Sequence, residues 1–230
     1  MIARILLDTA PLPGGGELKL FKRGEEYSIT LGGNELMNSR KSGSEEALAA
    51  LGCAGLGARP KTRVLIGGLG MGFTLRAALG ELARDAEIVV AELVPAVVAW
   101  ARGPMAHFHA GSLEDRRVRI VEGDVAGLIA GAAAGWNAIL LDVDNGPDGL
   151  TVESNDALYS PAGLAAARSA LRPGGVLAIW SAAQDAAFTA RLRRAGFAVE
   201  EHKARAARGK GGHHFIWTAR APGGRRSAGV

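Results

Sequence analysis

Residues 61–72 read Lys-Thr-Arg-Val-Leu-Ile-Gly-Gly-Leu-Gly-Met-Gly, an apolar segment typical of a β-strand that leads into a cluster of glycines. The residues from Phe73 onward are typical of a helix. Gly68, Gly70 and Gly72 allow the backbone to bend with positive φ, and they allow a ligand to approach more closely than any Cβ would permit. This pattern predicts a turn that holds a nucleotide, although a glycine-rich turn can also be a plain connection.

An acidic residue follows this turn at the spacing typical of a nucleotide-binding fold. Glu92 lies twenty residues beyond Gly72 and ends the next apolar segment, 87–92. A carboxylate at this position can accept the hydroxyl protons of a ribose. The glycine register is G-x-G-x-G rather than the G-x-G-x-x-G of NAD-binding folds, and no Lys follows it as in a phosphate-binding loop. The pattern therefore disfavours NAD, ATP and GTP.

The composition of the 230-residue chain, which is 48% hydrophobic, suits one α/β domain with a small additional region. The single cysteine, Cys53, excludes an intrachain disulfide framework and indicates a reducing, cytoplasmic location. The pair His213-His214 would point to opposite faces of a strand, so we expect no metal site. No apolar segment approaches membrane-spanning length, so we expect a soluble protein without a membrane partner.

The formal net charge of +4 comes from the C-terminal end of the chain, because residues 201–230 contain seven Lys or Arg and one acidic residue. Such a basic segment could bind RNA. However, aromatic residues make up only 5% of the chain and do not alternate with the basic residues as a base-stacking surface requires. A nucleic-acid partner is therefore disfavoured, and the composition of residues 223–230 predicts a flexible tail.

The apolar patterns also predict the order of the elements. Three strands in a β-hairpin region come first, followed by a helix capped near Ser42. Strand and helix patterns then alternate five times, which predicts a parallel sheet with helices on both faces. Two last strand-like segments, 196–202 and 213–219, predict an antiparallel edge hairpin. The predicted units are an N-terminal β-hairpin region with a helix (1–58), a nucleoside-binding domain (59–222) and a tail (223–230).

Acidic residues follow three of the predicted strands. Besides Glu92, Asp124 follows the third strand, and Asp142 and Asp144 follow the fourth. In a parallel sheet of this kind the ligand lies outside the carboxyl ends of the strands, so these residues should face one site. Asp124 can also cap the helix that begins beside it. Crowded carboxylates at residues 142–148 repel one another unless a cation is bound, which indicates a site for a cationic group.

Several of these segments together resemble the class I S-adenosylmethionine-dependent methyltransferase fold and, within it, the spermidine synthase (polyamine aminopropyltransferase) family. They are GGLGMG (67–72), AELVPAVVAWAR (91–102), EGD (122–124), WNAILLDVDNGP (136–147) and LYSPAGLAAARSALRPGGVLAIW (158–180). The resemblance implies a small N-terminal β region and a Rossmann-like, mostly parallel seven-stranded sheet that ends in an antiparallel hairpin. It also implies that the chain binds S-adenosylmethionine or its decarboxylated form. The glycines would lie under the aminoalkyl sulfonium part, Glu92 would bind the ribose and Asp124 would lie near the adenine.

The chain departs from the family pattern at three places. The glycine loop lacks the aspartate that holds the amine of the decarboxylated donor. The family's D-S-S-D-P turn maps onto residues 142–146, where Asp142 is retained but Asn145 replaces the second aspartate, and an amide cannot act as a general base at neutral pH. The glutamine that follows the fifth strand is replaced by Trp180-Ser181.

Asp142 and Asp144 are the predicted catalytic residues, since either could hold a cationic amine and take its proton. Tyr159 could be a hydrogen-bonding neighbour or a core residue. If the acceptor is an acid, Arg40 and Lys41 are candidates to bind its carboxylate; otherwise they are solvated charges.

Three functions remain open: aminopropyl transfer to a small amine, methyl transfer from intact S-adenosylmethionine to a small molecule or RNA, and non-catalytic nucleoside binding. The family often dimerises, so a homodimer is also considered.

Overall fold

The structure, a computed structural model, describes residues 2–13, 15–143, 157–207 and 210–223. These residues form two β-sheets. The smaller sheet is antiparallel and has the order β1-β2-β3-β4. Burial alternates in β2, where Leu18 and Leu20 are buried, whereas the four middle residues of β3, including Ile29, are all buried. The strands are β1 (Ile5–Pro11), β2 (Glu17–Arg23), β3 (Glu26–Leu31) and β4 (Asn34–Asn38).

The larger sheet has seven strands in the order β10-β11-β9-β8-β5-β6-β7. Its strands are β5 (Arg63–Gly67), β6 (Glu87–Glu92), β7 (Val118–Glu122), β8 (Trp136–Leu141), β9 (Leu171–Ser181), β10 (Ala198–Ala207) and β11 (Lys210–Arg220). The strands from β5 to β9 pair in parallel, whereas β11 pairs antiparallel with both β9 and β10. This topology confirms the predicted mostly parallel seven-stranded sheet with a C-terminal antiparallel hairpin.

Helices cover both faces of the larger sheet, because its central strands are apolar on both sides. In β5, for example, Val64 and Ile66 pack into the hydrophobic core on one face, whereas Leu65 packs into the core on the other. The helices are α1 (Gly43–Gly52), α2 (Phe73–Glu81), α3 (Pro95–Arg102), α4 (Ala106–His109), a 3-10 turn (Ser112–Glu114), α5 (Val125–Ala130), α6 (Pro161–Ala170) and α7 (Ala186–Arg194).

Helix α1 packs against α2 and against strands β9 and β10 of the larger sheet. Gly52 permits this close approach, since a Cβ there would clash with the side chain of Leu140 on β8. Ser42 occupies the N-cap position but does not cap the backbone; its hydroxyl instead donates to the Glu46 carboxylate at 3.1 Å. The consequence for the site is that the first turn of α1, with Ser44 and Glu45, is held beside the large sheet.

Three short elements lie outside the sequence prediction: β4, α4 and the 3-10 turn. Strand β10 also extends beyond the predicted 196–202, because its ladder with β11 continues through Ala204 opposite His214. The predicted division of the chain at residue 58 stays a prediction, and residues 224–230 of the predicted tail lie outside the described residues. No helix in the described part of the chain is long and apolar enough to cross a bilayer.

Candidate active site

The glycine loop lies between β5 and α2, at the carboxyl end of β5. Gly68, Gly70 and Gly72 have φ values of 87°, 49° and 77°, in the left-handed region that favours glycine. A Cβ on Gly68 would also clash with the backbone carbonyl oxygen of Asp142. A Cβ on Gly70 would lie 2.9 Å from Sδ of Met37 on β4. The loop is therefore confined between the end of β8 and the small sheet.

Glu92, the last residue of β6, anchors the glycine loop from the other side. Its side chain is only 7% exposed. Oε2 accepts a hydrogen bond from the Leu69 amide and Oε1 accepts one from the Val94 amide, each at 2.9 Å. Burial raises the pKa of Glu92, and these amides oppose that shift. The Leu69 and Val94 amides occupy two of the about four acceptor positions of the carboxylate, one on each oxygen.

Glu92 lines the first of two adjoining cavities, which we call the β6-side cavity. It encloses about 730 Å³ of empty space, its open mouth included. The small sheet forms one wall, with Leu18, Ile29 and Met37, and the strand ends form the other. Most of the lining is apolar, but it contains three carboxylates, those of Glu92, Asp124 and Asp142. The cavity thus brings together four of the predicted site residues, Gly68, Glu92, Asp124 and Asp142.

Asp124 also serves as the N-cap of α5. Its Oδ1 accepts a hydrogen bond of 2.8 Å from the Ala126 amide. The residue is exposed and lines the β6-side cavity. The two roles considered for Asp124, helix cap and cavity residue, are therefore compatible in one position.

The second cavity, which we call the α1-side cavity, adjoins the first at Met37 and Asp142. Its empty space is about 620 Å³, with the open mouth included. Leu36, Met37 and Asp142 line both cavities, so the two meet there. The described residues that line it include no Lys, Arg or His; they are Leu36, Met37, Asn38, Glu45, Leu69, Gly70, Met71, Gly72, Phe73, Asp142 and Trp180.

Asp142 lies directly after β8, where the two cavities meet. Its backbone amide donates to the Gly67 carbonyl at 2.9 Å, and its Oδ2 accepts a 2.6 Å hydrogen bond from the Thr74 hydroxyl. Burial raises the pKa of Asp142 to about 6, and the Thr74 hydrogen bond opposes that shift. Asp144 and Asn145 lie outside the described residues, so the prediction for Asp144 is untested.

The carboxylate of Glu45 faces the same cavity as Asp142. Ser44 Oγ donates to Glu45 Oε2 at 2.6 Å, and Ser44 Oγ also lies 2.8 Å from Nδ1 of His214 on β11. With the proton on Nδ1, His214 donates to Ser44, which donates to Glu45. Burial and the charge of Asp142 raise the pKa of Glu45 to about 7. The ring of Trp180, 8% exposed, packs edge-on against His214 at 4.6 Å.

The remaining candidates lie elsewhere. Arg40 pairs with Glu26 at 2.9 Å and Lys41 with Glu35 at 3.4 Å, so both basic side chains are paired outside the two cavities. Tyr159 is 1% exposed and belongs to the hydrophobic core. The described ranges contain no group of three or more His, Cys, Asp or Glu residues that could hold a metal ion.

Comparisons with known proteins agree with this architecture. No protein-family model matches the chain. Over 192 residues it is 31% identical to the polyamine aminopropyltransferases of Mycobacterium tuberculosis and Mycobacterium bovis, an alignment that covers 80% of this chain and 35% of each relative. It superposes on a spermidine synthase solved with the transition-state analogue AdoDATO with a TM-score of 0.71, at 19% identity, covering 94% of this chain and 72% of that one.

The chain is similar to spermidine synthases in fold and to polyamine aminopropyltransferases in sequence. The Thermotoga maritima spermidine synthase gives the same result, with a TM-score of 0.72 at 19% identity and the same coverage. These structures confirm the predicted Rossmann-like methyltransferase fold. The chain spans about a third of the length of the curated relatives it matches.

Glu45 is the carboxylate of the α1-side cavity that the sequence did not predict. In the sequence it is one of two adjacent acids in the first turn of a helix, a position where acids are common because they favour the helix dipole. Its place in the cavity depends on how α1 packs across the sheet. The signal that could have found it is the absence of the loop aspartate that the family pattern contains, which prompts a search for a carboxylate on another element.

Proposed function

We propose that this spermidine synthase-like protein is a transferase that moves an aminopropyl or closely related group from decarboxylated S-adenosylmethionine to a small amine. The observation that carries this proposal is the meeting of two cavities at Asp142, one with an apolar lining and carboxylates for a nucleoside, the other with two carboxylates and no basic side chain among its described lining residues. The names of the sequence relatives support the same reaction class.

The β6-side cavity would hold the nucleoside part of the donor. Its mostly apolar lining with a few carboxylates suits a nucleoside, which combines an apolar ring face with hydroxyl and amino donors. Glu92 and Asp124 would accept hydrogen bonds from the ribose hydroxyls and the adenine amino group, and apolar residues such as Ile29 and Val125 would pack against the base. The glycine loop would pass beneath the sulfonium end, where no Cβ intervenes.

The α1-side cavity would hold the acceptor amine. An alkyl amine arrives protonated, since its ordinary pKa is about 10. The carboxylates of Glu45 and Asp142 give this cavity a negative charge that none of its described lining residues neutralises. A cationic amine therefore suits it better than an acid, and the ion pairs of Arg40 and Lys41 outside the cavity point the same way.

The donor supplies a sulfonium, whose carbon–sulfur bond is already activated for displacement. In the transfer, the amine nitrogen forms a bond to the aminopropyl carbon next to sulfur while the bond between that carbon and sulfur breaks. The electron pair of the broken bond stays on sulfur, which becomes a thioether. The amine must lose one proton before its lone pair can attack. Asp142 would take that proton, because it lies where the cavities meet and is held in place by Thr74. The remaining work of the protein is alignment of the two substrates.

The preference for the decarboxylated donor follows from the same charges. The carboxylate of intact S-adenosylmethionine would approach Glu45 and Asp142, and like charges at short distance repel. Methyl transfer from the intact donor is thus the less favoured alternative.

We further propose that the partners are small molecules rather than nucleic acid, and that the protein works in the cytoplasm, where the buried thiol of Cys53 would stay reduced.

Direct detection of the product tests the proposal. The protein is incubated with decarboxylated S-adenosylmethionine and 1,4-diaminobutane, and the mixture is analysed by mass spectrometry. We expect an aminopropylated diamine and one equivalent of 5′-methylthioadenosine. Methylated diamine from intact S-adenosylmethionine, with no product from the decarboxylated donor, would contradict aminopropyl transfer.

A further inference from the structure

We propose that Glu45 determines which charge the α1-side cavity accepts, by binding a primary ammonium group in place of the aspartate that the glycine loop lacks. The inference rests on the proposed function for the identity of the substrates. The ammonium group belongs either to the aminopropyl end of the donor or to the acceptor amine, and separate binding measurements distinguish these two cases.

The first support is the position of Glu45 relative to the loop. It lines the same cavity as Gly70, Met71 and Gly72, the loop segment that has no acidic side chain. A carboxylate presented from α1 therefore faces the space that a carboxylate on the loop would otherwise serve. Asn38, also in the lining, is neutral, so Glu45 and Asp142 supply all the charge among the described lining residues.

The second support is the way the carboxylate is held. Ser44 is fully buried and its hydroxyl donates to Glu45 Oε2, and His214 lies behind Ser44 at hydrogen-bond distance. The hydroxyl of Thr74 lies 2.6 Å from Asp142 Oδ2 and 3.5 Å from the backbone oxygen of Glu45. One threonine thus links the segments that carry the two carboxylates, which keeps both acids in one cavity.

The third support is electrostatic. Two carboxylates in a partly buried cavity raise each other's free energy, and a cation between them removes the repulsion. No Lys, Arg or His side chain does so among the described residues that line the cavity. The cavity is therefore completed by a ligand with a positive charge.

The test compares Glu45→Gln with the matched control Glu46→Gln, which changes the neighbouring acid on α1 outside the cavity lining. Three affinities are measured by calorimetry: 5′-methylthioadenosine, which has no amine; decarboxylated S-adenosylmethionine; and 1,4-diaminobutane with 5′-methylthioadenosine present. Loss of a charge-assisted hydrogen bond predicts roughly 10- to 100-fold weaker binding of an amine ligand to Glu45→Gln. Binding of 5′-methylthioadenosine should not change, and Glu46→Gln should behave as wild type.

The pattern of loss identifies the source of the ammonium. Weaker binding of the decarboxylated donor alone assigns Glu45 to the donor amine, and weaker binding of the diamine alone assigns it to the acceptor. Unchanged affinity for both amine ligands in Glu45→Gln, with a circular dichroism spectrum like wild type, would overturn the inference and leave the proposed function intact. If the wild-type protein binds no 5′-methylthioadenosine, the proposed function is contradicted. If the diamine still binds and its affinity still depends on Glu45, the inference about Glu45 is supported without the proposed function.

Discussion

The hydroxyl of Thr74, at the start of α2, lies 2.6 Å from Oδ2 of Asp142, just beyond the end of β8. Thr74 is 3% exposed, so this hydrogen bond is shielded from water. It joins the helix that follows the glycine loop to the carboxylate at the meeting point of the two cavities. The orientation of the proposed base is therefore coupled to the loop that would hold the donor.

Replacing Thr74 with Val tests this coupling, because Val has nearly the same shape and no hydroxyl. The hydrogen bond lowers the pKa of Asp142, so its loss should raise that pKa further. We expect the acidic limb of the pH–rate profile to move to higher pH and the free energy of unfolding to fall by about 1 kcal/mol. An unchanged acidic limb would show that Thr74 does not set the titration of the base.

Asp142→Asn should abolish turnover while nucleoside binding is largely retained. An amide has nearly the same shape as the carboxylate but cannot accept the proton of the amine at neutral pH. Loss of a general base typically reduces the rate by about 10²- to 10⁴-fold. Single-turnover rates and 5′-methylthioadenosine affinity separate the two effects. Full activity in this variant would remove Asp142 as the base.

Glu92→Ala should weaken binding of adenosine-containing ligands by roughly 1–3 kcal/mol, the range for a hydrogen bond to a charged group. It should also lower the thermal stability, since the amides of Leu69 and Val94 would lose a buried acceptor. Glu92→Gln is the control, because its one amide oxygen keeps part of the anchoring. Calorimetry with 5′-methylthioadenosine measures the binding effect, and unchanged affinity in Glu92→Ala would contradict the ribose assignment.

The raised pKa values of Glu45 and Asp142 predict how stability depends on pH. Glu45 has a pKa of about 7 in the folded chain against an ordinary value of 4.5, and Asp142 has about 6 against 3.8. Both groups therefore hold protons more tightly when folded. Their contribution to stability is present at low pH and is lost as pH rises through about 4–7.

Thermal unfolding between pH 4 and pH 8 measures this effect when wild type is compared with Glu45→Gln. The variant removes one titrating group, so the stability difference in its favour should grow with pH to about 3 kcal/mol, the free energy that corresponds to the raised pKa of Glu45. A difference that stays constant across this range would mean that Glu45 titrates normally in the folded protein.

Much of the fold could be predicted because the deciding patterns are local. The apolar segment before Gly68, the glycines and the next apolar segment define β5, the loop and β6 with no knowledge of distant contacts. Glu92, Asp124 and Asp142 could be placed at one site because parallel strands bring their carboxyl ends to one edge.

The features that escaped prediction depend on tertiary packing. Strand β4 has only Leu36 and Met37 as apolar residues, and it is stabilised by its pairing with β3 and its contact with the glycine loop. Glu45 reaches the cavity because α1 lies against α2 and the large sheet. Neither the spacing of residues nor helix propensity specifies such contacts.

The most direct test of the account is a calorimetric comparison of S-adenosylmethionine and its decarboxylated form, which differ by one carboxylate. We expect the decarboxylated donor to bind more tightly, because Glu45 and Asp142 attract an ammonium and repel a carboxylate in a cavity whose described lining holds no basic side chain. Tighter binding of intact S-adenosylmethionine would contradict it and would favour methyl transfer.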